Sequence, residues 1–310
     1  MSLKAILAEN PVYSRFMVVV GLILTCAIAF TVISAAAAAG IYGVSFFELE
    51  KLLGNLSDPK AVAIMKFVQT VSSVGTFIIP AFFIAYLFDS KPLAYLSFKK
   101  VNGLSVLLVI LAMLAALPLI NYLGYLNSKM SLPSFLSGVE KWMKDSEDKA
   151  AEVTKHFLEM HSISDLLFTT FMIALLPAIG EELIFRGIIQ RIFAEWSKNI
   201  HVAVWVTAVL FSAMHMQFYG FVPRMMLGAA LGYLLAWSGS LWLPIIAHFV
   251  NNAAAVLFSY LFDQKILSLD PDAVGTGNDY ASVFISLILT GFLLLLVYKK
   301  EQSKEVRMEN

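Results

Sequence analysis

Three stretches of the chain, Phe16 to Gly43, Phe67 to Phe88 and Val101 to Ser128, hold no charged residue. Each is at least as long as the roughly 20 apolar residues that cross a bilayer. Five more apolar segments follow: Leu166 onward, about Ile200 to Pro223, Met225 to about Ser238, Leu241 to Phe262, and Ala281 to Tyr298. The expected fold is therefore all-α, a polytopic membrane bundle of about eight transmembrane helices with the lipid bilayer as its first partner. Composition agrees, since 59% of the 310 residues are apolar and 14% charged, against about 25% charged in soluble domains. Equal numbers of basic and acidic residues, 22 of each, remove any electrostatic case for nucleic acid. The single cysteine, Cys26, excludes an intramolecular disulfide framework and a cysteine-based metal cage.

Orientation follows from the connectors. With both termini on one side, the segments there carry Lys4, Arg15, Lys91, Lys99, Lys100, Arg191 and Lys198, together with Arg186 and the tail residues Lys299, Lys300, Lys304 and Arg307. The opposite short loops hold Lys51, Lys60, Lys66, Arg224 and Lys265. Basic residues resist translocation, so the termini are expected in the cytoplasm. The first block is read as a transmembrane helix rather than a secretory signal, because its uncharged run is too long for a signal's apolar region. The mixed-charge stretch from Lys129 to Asp165 reads as one solvated or interfacial helix. Ser162 and Asp165 are placed to cap the fourth span. Asp263, Asp270, Asp272 and Asp279 form an acidic external loop without the spacing of a calcium loop.

Ionisable groups within apolar spans are costly, and each is a functional candidate by default. Here they concentrate in the fourth to seventh spans as Glu181, Glu182, Arg186, His215, His248 and the pair Asn251 and Asn252. If the helix starts at Leu166, Glu181 lies about 22 Å along it. Pro177 cannot donate to the Ile173 carbonyl, so a kink or widened turn is expected before the two glutamates. Glu182 and Arg186 are spaced i,i+4 with the acid first, the favoured order for an intrahelical ion pair. Glu181 points about 100° away and is left as the free carboxylate. His215 falls about 15 residues into the fifth span, near mid-membrane and on the face of Phe211. His248 and Asn252 stack i,i+4 on the seventh. In the sixth span, Gly228 to Gly232 fits the GxxxG packing pattern.

A carboxylate, two imidazoles and an amide around water suffice to hydrolyse an amide bond. Glu181 would take a proton from water, His215 would position that water, and His248 with Asn252 would donate to the developing oxyanion. Zinc held by Glu181, His215 and His248, with Glu182 as the base, is the alternative. Neither G-x-S-x-G nor H-E-x-x-H is present. Two non-hydrolytic readings stand beside these: a binding or scaffold protein that keeps the polar pocket, and an ion-coupled transporter. Against the second, the chain carries no repeat of the Glu-Glu or His-x-x-x-Asn arrangement.

Glu181-Glu182-Leu-Ile-Phe-Arg186, Phe211-Ser-Ala-Met-His215 and His248-Phe-Val-Asn-Asn252 resemble the EExxxR, FxxxH and HxxxN boxes of the CPBP family. That family joins the type II CAAX prenyl endopeptidases to bacterial bacteriocin-processing and immunity proteins, also called Abi. The resemblance spans about Ser162 to Phe262. It implies a conical core around an intramembrane cavity, with Glu181 and His215 activating water and His248 and Asn252 forming the oxyanion hole. Glu182, Arg186 and Phe211 would support them. It also implies an intramembrane endopeptidase acting on a peptide or membrane-protein segment, prenylated or not, and zinc is not carried over from it. The expected organisation is 1–161 (three spans and the solvated helix), 162–262 (catalytic core) and 263–310 (acidic loop, last span and polar tail).

Overall fold

The computed structural model describes residues 3–268, 270 and 273–309, with the side chains of residues 46 and 304–309 outside that description. Asp272, weighed above for calcium, and the side chains of Lys304 and Arg307 therefore lie outside the described residues. Among the described residues the secondary structure is helical throughout. In chain order these helices are α1 (Val12–Tyr42), α2 (Phe46–Leu53), α3 (Pro59–Phe88), α4 (Pro92–Tyr95), α5 (Gly103–Ala115) and α6 (Leu117–Ser128). They continue with α7 (Ser137–Leu158), α8 (Ile163–Ser197), α9 (Ile200–Met214), α10 (Phe221–Ser238), α11 (Trp242–Asp263) and α12 (Tyr280–Glu309).

The eight apolar segments are all helical but unequal. Six are long and apolar enough to cross a membrane by themselves, and α5 with α6 forms a seventh that bends by 43°. Pro118, in the first turn of α6, cannot donate back into α5, which accounts for the break. The expected fifth span is corrected: α9 has 15 residues and stops at Met214. It covers about 22 Å, short of the roughly 30 Å of hydrocarbon. A positive φ of 54° at Met216 ends it, and a turn leads directly into α10, so His215 caps a helix that stops within the bundle.

Polar side chains set the helix starts. Ser162 Oγ accepts from the Asp165 amide at 3.1 Å while Asp165 Oδ2 accepts from the Ser162 amide at 3.0 Å, a reciprocal cap that opens α8 at Ile163. Asn102 and Asn199 cap α5 and α9 one way only, each side-chain oxygen accepting from the backbone amide two residues on. Asp279 caps α12; hydrogen bonds from Ser282 and from the Gly275 amide hold its carboxyl below the usual carboxylate range.

Two helices share one irregularity. In α3 a widened π segment, Val74–Ile78, ends two residues before Pro80; in α8 another, Thr170–Leu175, ends two residues before Pro177. Each proline removes an N–H, and the wider turn absorbs the mismatch. The α3 segment packs against the part of α8 that follows Pro177, where Gly180 meets Phe77, and a Cβ on Gly180 would sit 2.7 Å from the Phe77 Cβ. Beside this contact lies the main core of Ala81, Ile84, Leu96, Leu183, Ile188, Phe211 and Leu241, all essentially inaccessible. The flanks of α1 and α12 leave Leu24, Ile28, Phe284 and Leu287 exposed, as lipid-facing surfaces do.

Gly180→Ala is expected to destabilise the protein by about 1–3 kcal/mol, because the displaced neighbour is a Cβ near the backbone of Phe77 rather than a flexible chain end. A lower thermal unfolding midpoint in detergent is the expected reading, and an unchanged one would mean that this contact yields freely.

Candidate active site

The register of the helices brings the polar groups level. From Glu181 to Ser197, α8 runs about 24 Å, and α9 returns about 22 Å from Ile200 to His215. His215 therefore arrives beside Glu181. On the other side Leu241 packs at the level of Gly187. Glu182, five residues back along α8, and His248, seven residues on from Leu241 along the antiparallel α11, then lie at about the same depth.

Glu182 is wholly buried. Its Oε1 accepts from Arg186 Nη1 at 2.7 Å and from His248 Nδ1 at 2.9 Å. Arg186 uses Nη2 to donate to the Gly228 carbonyl at 2.8 Å and lies 4.5 Å from the centre of the Phe211 ring. One turn further along α8, Gln190 donates to the Gly232 carbonyl at 3.0 Å. The two glycines of the GxxxG pattern thus receive side chains spaced i,i+4 on α8. A Cβ on Gly232 would stand 2.8 Å from Gln190 Oε1, and one on Gly228 would stand 3.2 Å from Ala208 Cα.

The imidazoles are held from behind. His215 Nδ1 bonds to the Phe211 carbonyl at 2.8 Å, and since a carbonyl only accepts, this nitrogen carries the proton. His248 Nδ1 likewise donates to Glu182. Both Nε2 atoms then turn to one oxygen, Glu181 Oε2, at 3.9 Å from His215 and 4.0 Å from His248. That oxygen is buried and makes no hydrogen bond to any described group. Phe211 fills the space between, its ring edge-to-face with His215 at 5.1 Å and with His248 at 5.8 Å. Residues from α8, α9 and α11, 67 positions apart at the extremes, converge on one carboxylate.

Residues 163–254, which contain all of these groups, match the family described as type II CAAX prenyl endopeptidase Rce1-like. That stretch is similar to Rce1-like domains. The uncharacterized protein YpbD of Bacillus subtilis (strain 168) is 27% identical over 119 residues, which are 37% of this chain and 56% of that protein. An uncharacterized 24.3 kDa protein of Escherichia coli is 28% identical over 110 residues, 34% of this chain and 50% of that protein. The matches span about half the length of these curated relatives. No solved structure matches.

Within this stretch Asn252 stands one turn beyond His248 on the same face of α11, and one N–H of its amide is committed. Asn252 Nδ2 donates at 3.2 Å to the Ile173 carbonyl, the acceptor that Pro177 leaves without its helical partner. Asn251 in turn donates to Asn252 Oδ1 at 3.0 Å. The zinc reading does not fit the residues present. The Nδ1 contacts are of the kind that orient metal-bound imidazoles, yet among the described residues no group of three His, Cys, Asp or Glu side chains is disposed to hold a metal ion. Glu182, the base that reading requires, is bound to Arg186 and His248 instead.

His201 is exposed and bonds to the Tyr233 hydroxyl at 2.9 Å, away from the pocket. Sequence reasoning placed Arg224 in a loop, whereas it belongs to the first turn of α10 at the edge of the site. Its one signal was a cation four residues before Gly228 within an apolar run.

Glu182→Gln removes the charge that compensates Arg186, a change expected to cost about 3–5 kcal/mol in a buried pair. Yield of monodisperse protein by gel filtration should collapse. The double variant Glu182→Gln with Arg186→Met should restore much of it, and failure of the double variant to recover would assign the loss to something other than the orphaned guanidinium.

Proposed function

We propose that this chain is an intramembrane endopeptidase that hydrolyses a peptide bond with a water activated by Glu181. The observation that carries the reading is the convergence of two oriented Nε2 atoms on Glu181 Oε2 at nearly equal distance. At 3.9 and 4.0 Å these groups are too far apart for direct hydrogen bonds and well spaced to share one oxygen between them.

Glu181 takes a proton from water while His215 Nε2, unprotonated because Nδ1 carries the hydrogen, accepts a second hydrogen bond and aims it. The resulting hydroxide adds to the scissile carbonyl. His248 donates from Nε2 to the oxyanion, which requires both ring nitrogens to carry protons, and Glu182 against Nδ1 is the carboxylate placed to compensate that charge. The Asn252 amide keeps one N–H beyond the bond to Ile173 and contributes it to the same oxyanion. Collapse of the tetrahedral intermediate passes the proton from Glu181 to the leaving amine. Glu182, Arg186 and Phe211 position these groups without touching substrate.

The substrate is a peptide or membrane-protein segment within the bilayer's reach, and processing of a C-terminal CAAX-type peptide is the version that the family description supports. The excess of basic residues in the connectors beside the termini assigns both to the cytoplasm.

Purified protein in lipid nanodiscs, incubated with a pool of synthetic decapeptides and read by mass spectrometry, tests the mechanism. Glu181→Gln, His215→Ala and His248→Ala should each lower cleavage by about a hundredfold or more while eluting as folded protein. Cleavage at the parental rate by Glu181→Gln would rule out this carboxylate as the base.

A further inference from the structure

Where α8 and α10 finish and α9 begins, a cavity of about 210 Å³ opens between these helices and the linker that follows α4. Arg186 and Arg191 line it together with Ser97 and Gln190, and among the described residues no carboxylate does. Leu96, Ile200 and Leu235 supply apolar wall. The first helix starts at this same end, since Arg15 in the first turn of α1 pairs with Glu195 in the last turn of α8.

Both arginines are held in place with donors to spare. Arg191 Nη2 donates to Ser97 Oγ at 2.8 Å, and its guanidinium lies 4.4 Å from the centre of the Tyr95 ring. Glu195, one turn further along α8, is taken by Arg15, and among the described residues Arg191 makes no ion pair. Arg186, only 1% exposed, commits its two Nη atoms to Glu182 and to the Gly228 carbonyl, so its buried Nε has no partner. One turn on, Gln190 gives Nε2 to the Gly232 carbonyl, and its buried Oε1 is unpartnered as well. A buried donor and a buried acceptor left unmet are costly, and both belong to side chains of one cavity.

The mouth is also basic. Ser97 and Gly239 each take the left-handed backbone, with φ of 59° and 60°, and the Leu241 amide ties the two turns together by donating to the Ser97 carbonyl at 3.0 Å. Gly239 has no Cβ, and Lys99 Nζ stands 3.7 Å from where one would be. Ile200 opens α9, a helix of 15 residues whose first turn carries partial positive charge.

We propose that this cavity binds a phosphate group, that of an anionic phospholipid headgroup in the leaflet at this end of the bundle. Arg191 offers the planar fork that phosphate oxygens match, and Arg186 Nε adds a donor. Gln190 Oε1 accepts from a headgroup hydroxyl of the kind glycerol carries. The helix ends set the cavity at the depth of headgroups rather than of acyl chains. Binding does not depend on the peptidase reading, although an oxygen on Arg186 Nε would complete the guanidinium that holds Glu182.

Native mass spectrometry of the full chain in detergent, titrated with dioleoyl phosphatidylglycerol, dioleoyl phosphatidylcholine or sodium phosphate, tests the site. Phosphatidylglycerol should bind about tenfold more tightly than phosphatidylcholine, whose headgroup replaces the hydroxyls with a fixed cation. Arg191→Gln should abolish that preference. Ala236→Leu narrows the exposed rim and leaves every charge in place; it should weaken phosphatidylglycerol severalfold and covers a glutamine variant that fails to fold. Lys91→Gln, outside the cavity, should change nothing. A preference kept in both cavity variants, or lost as fully in Lys91→Gln, overturns the site. Equal binding of the two lipids overturns the headgroup as ligand. If inorganic phosphate then forms an Arg191-dependent adduct, the phosphate pocket stands with free phosphate as its ligand, and if it forms none, the pocket is overturned too.

Discussion

One buried carboxylate organises the centre of this molecule. Glu182 sits where water does not reach, and its charge is tolerable only because Arg186 lies one turn away on the same helix. The guanidinium needs further partners, which it finds in the Gly228 carbonyl and the Phe211 ring. The oxygen that accepts from Arg186 also holds His248. Helices α8, α9, α10 and α11 are thereby tied to one group, and a shift of α10 or α11 would cost it a buried hydrogen bond. Well-packed apolar residues would hold a bundle as well or better; what the ion pair adds is orientation of an imidazole.

Backbone irregularity does comparable work. A regular helix through residues 163–197 would bury every backbone group within itself and present only side chains. Pro177 prevents this, the π segment before it widens the helix, and the released Ile173 carbonyl is taken up by Asn252. The early end of α9 has a parallel effect: it puts His215 at a helix terminus inside the bundle, where its ring turns back to the Phe211 carbonyl and fixes which nitrogen is free. Bilayer depth tolerates such departures where the backbone is buried in protein or lines a cavity.

Much of this was legible before any coordinates. Uncharged blocks gave the helical bundle, the Ser162 and Asp165 pair gave the start of α8, and i,i+4 spacing gave the Glu182 to Arg186 bridge, because each depends on residues a few positions apart. The widened turn before the glutamates was legible from Pro177 for the same reason. Three features were not. The end of α9 was hidden, since residues 200–223 stay largely apolar across a turn made by backbone dihedrals at His215 and Met216. The partner of Asn252 was hidden because Ile173 lies 79 positions away. Arg224 read as a loop cation because its helix begins earlier than apolarity suggested.

The chain's own order of residues determined that it is a helical membrane protein, that its costly polar groups gather in one third of its length, and which of them pair within a helix. Those conclusions rest on local spacing and on the cost of charge in hydrocarbon. Only the tertiary structure decided that Glu181, His215 and His248 meet, which nitrogen each imidazole presents, and that one Glu182 oxygen holds both Arg186 and His248. Such facts depend on the relative depth and rotation of helices far apart in the chain, and these are set by the glycine contacts, the proline bulges and the early end of α9 acting together.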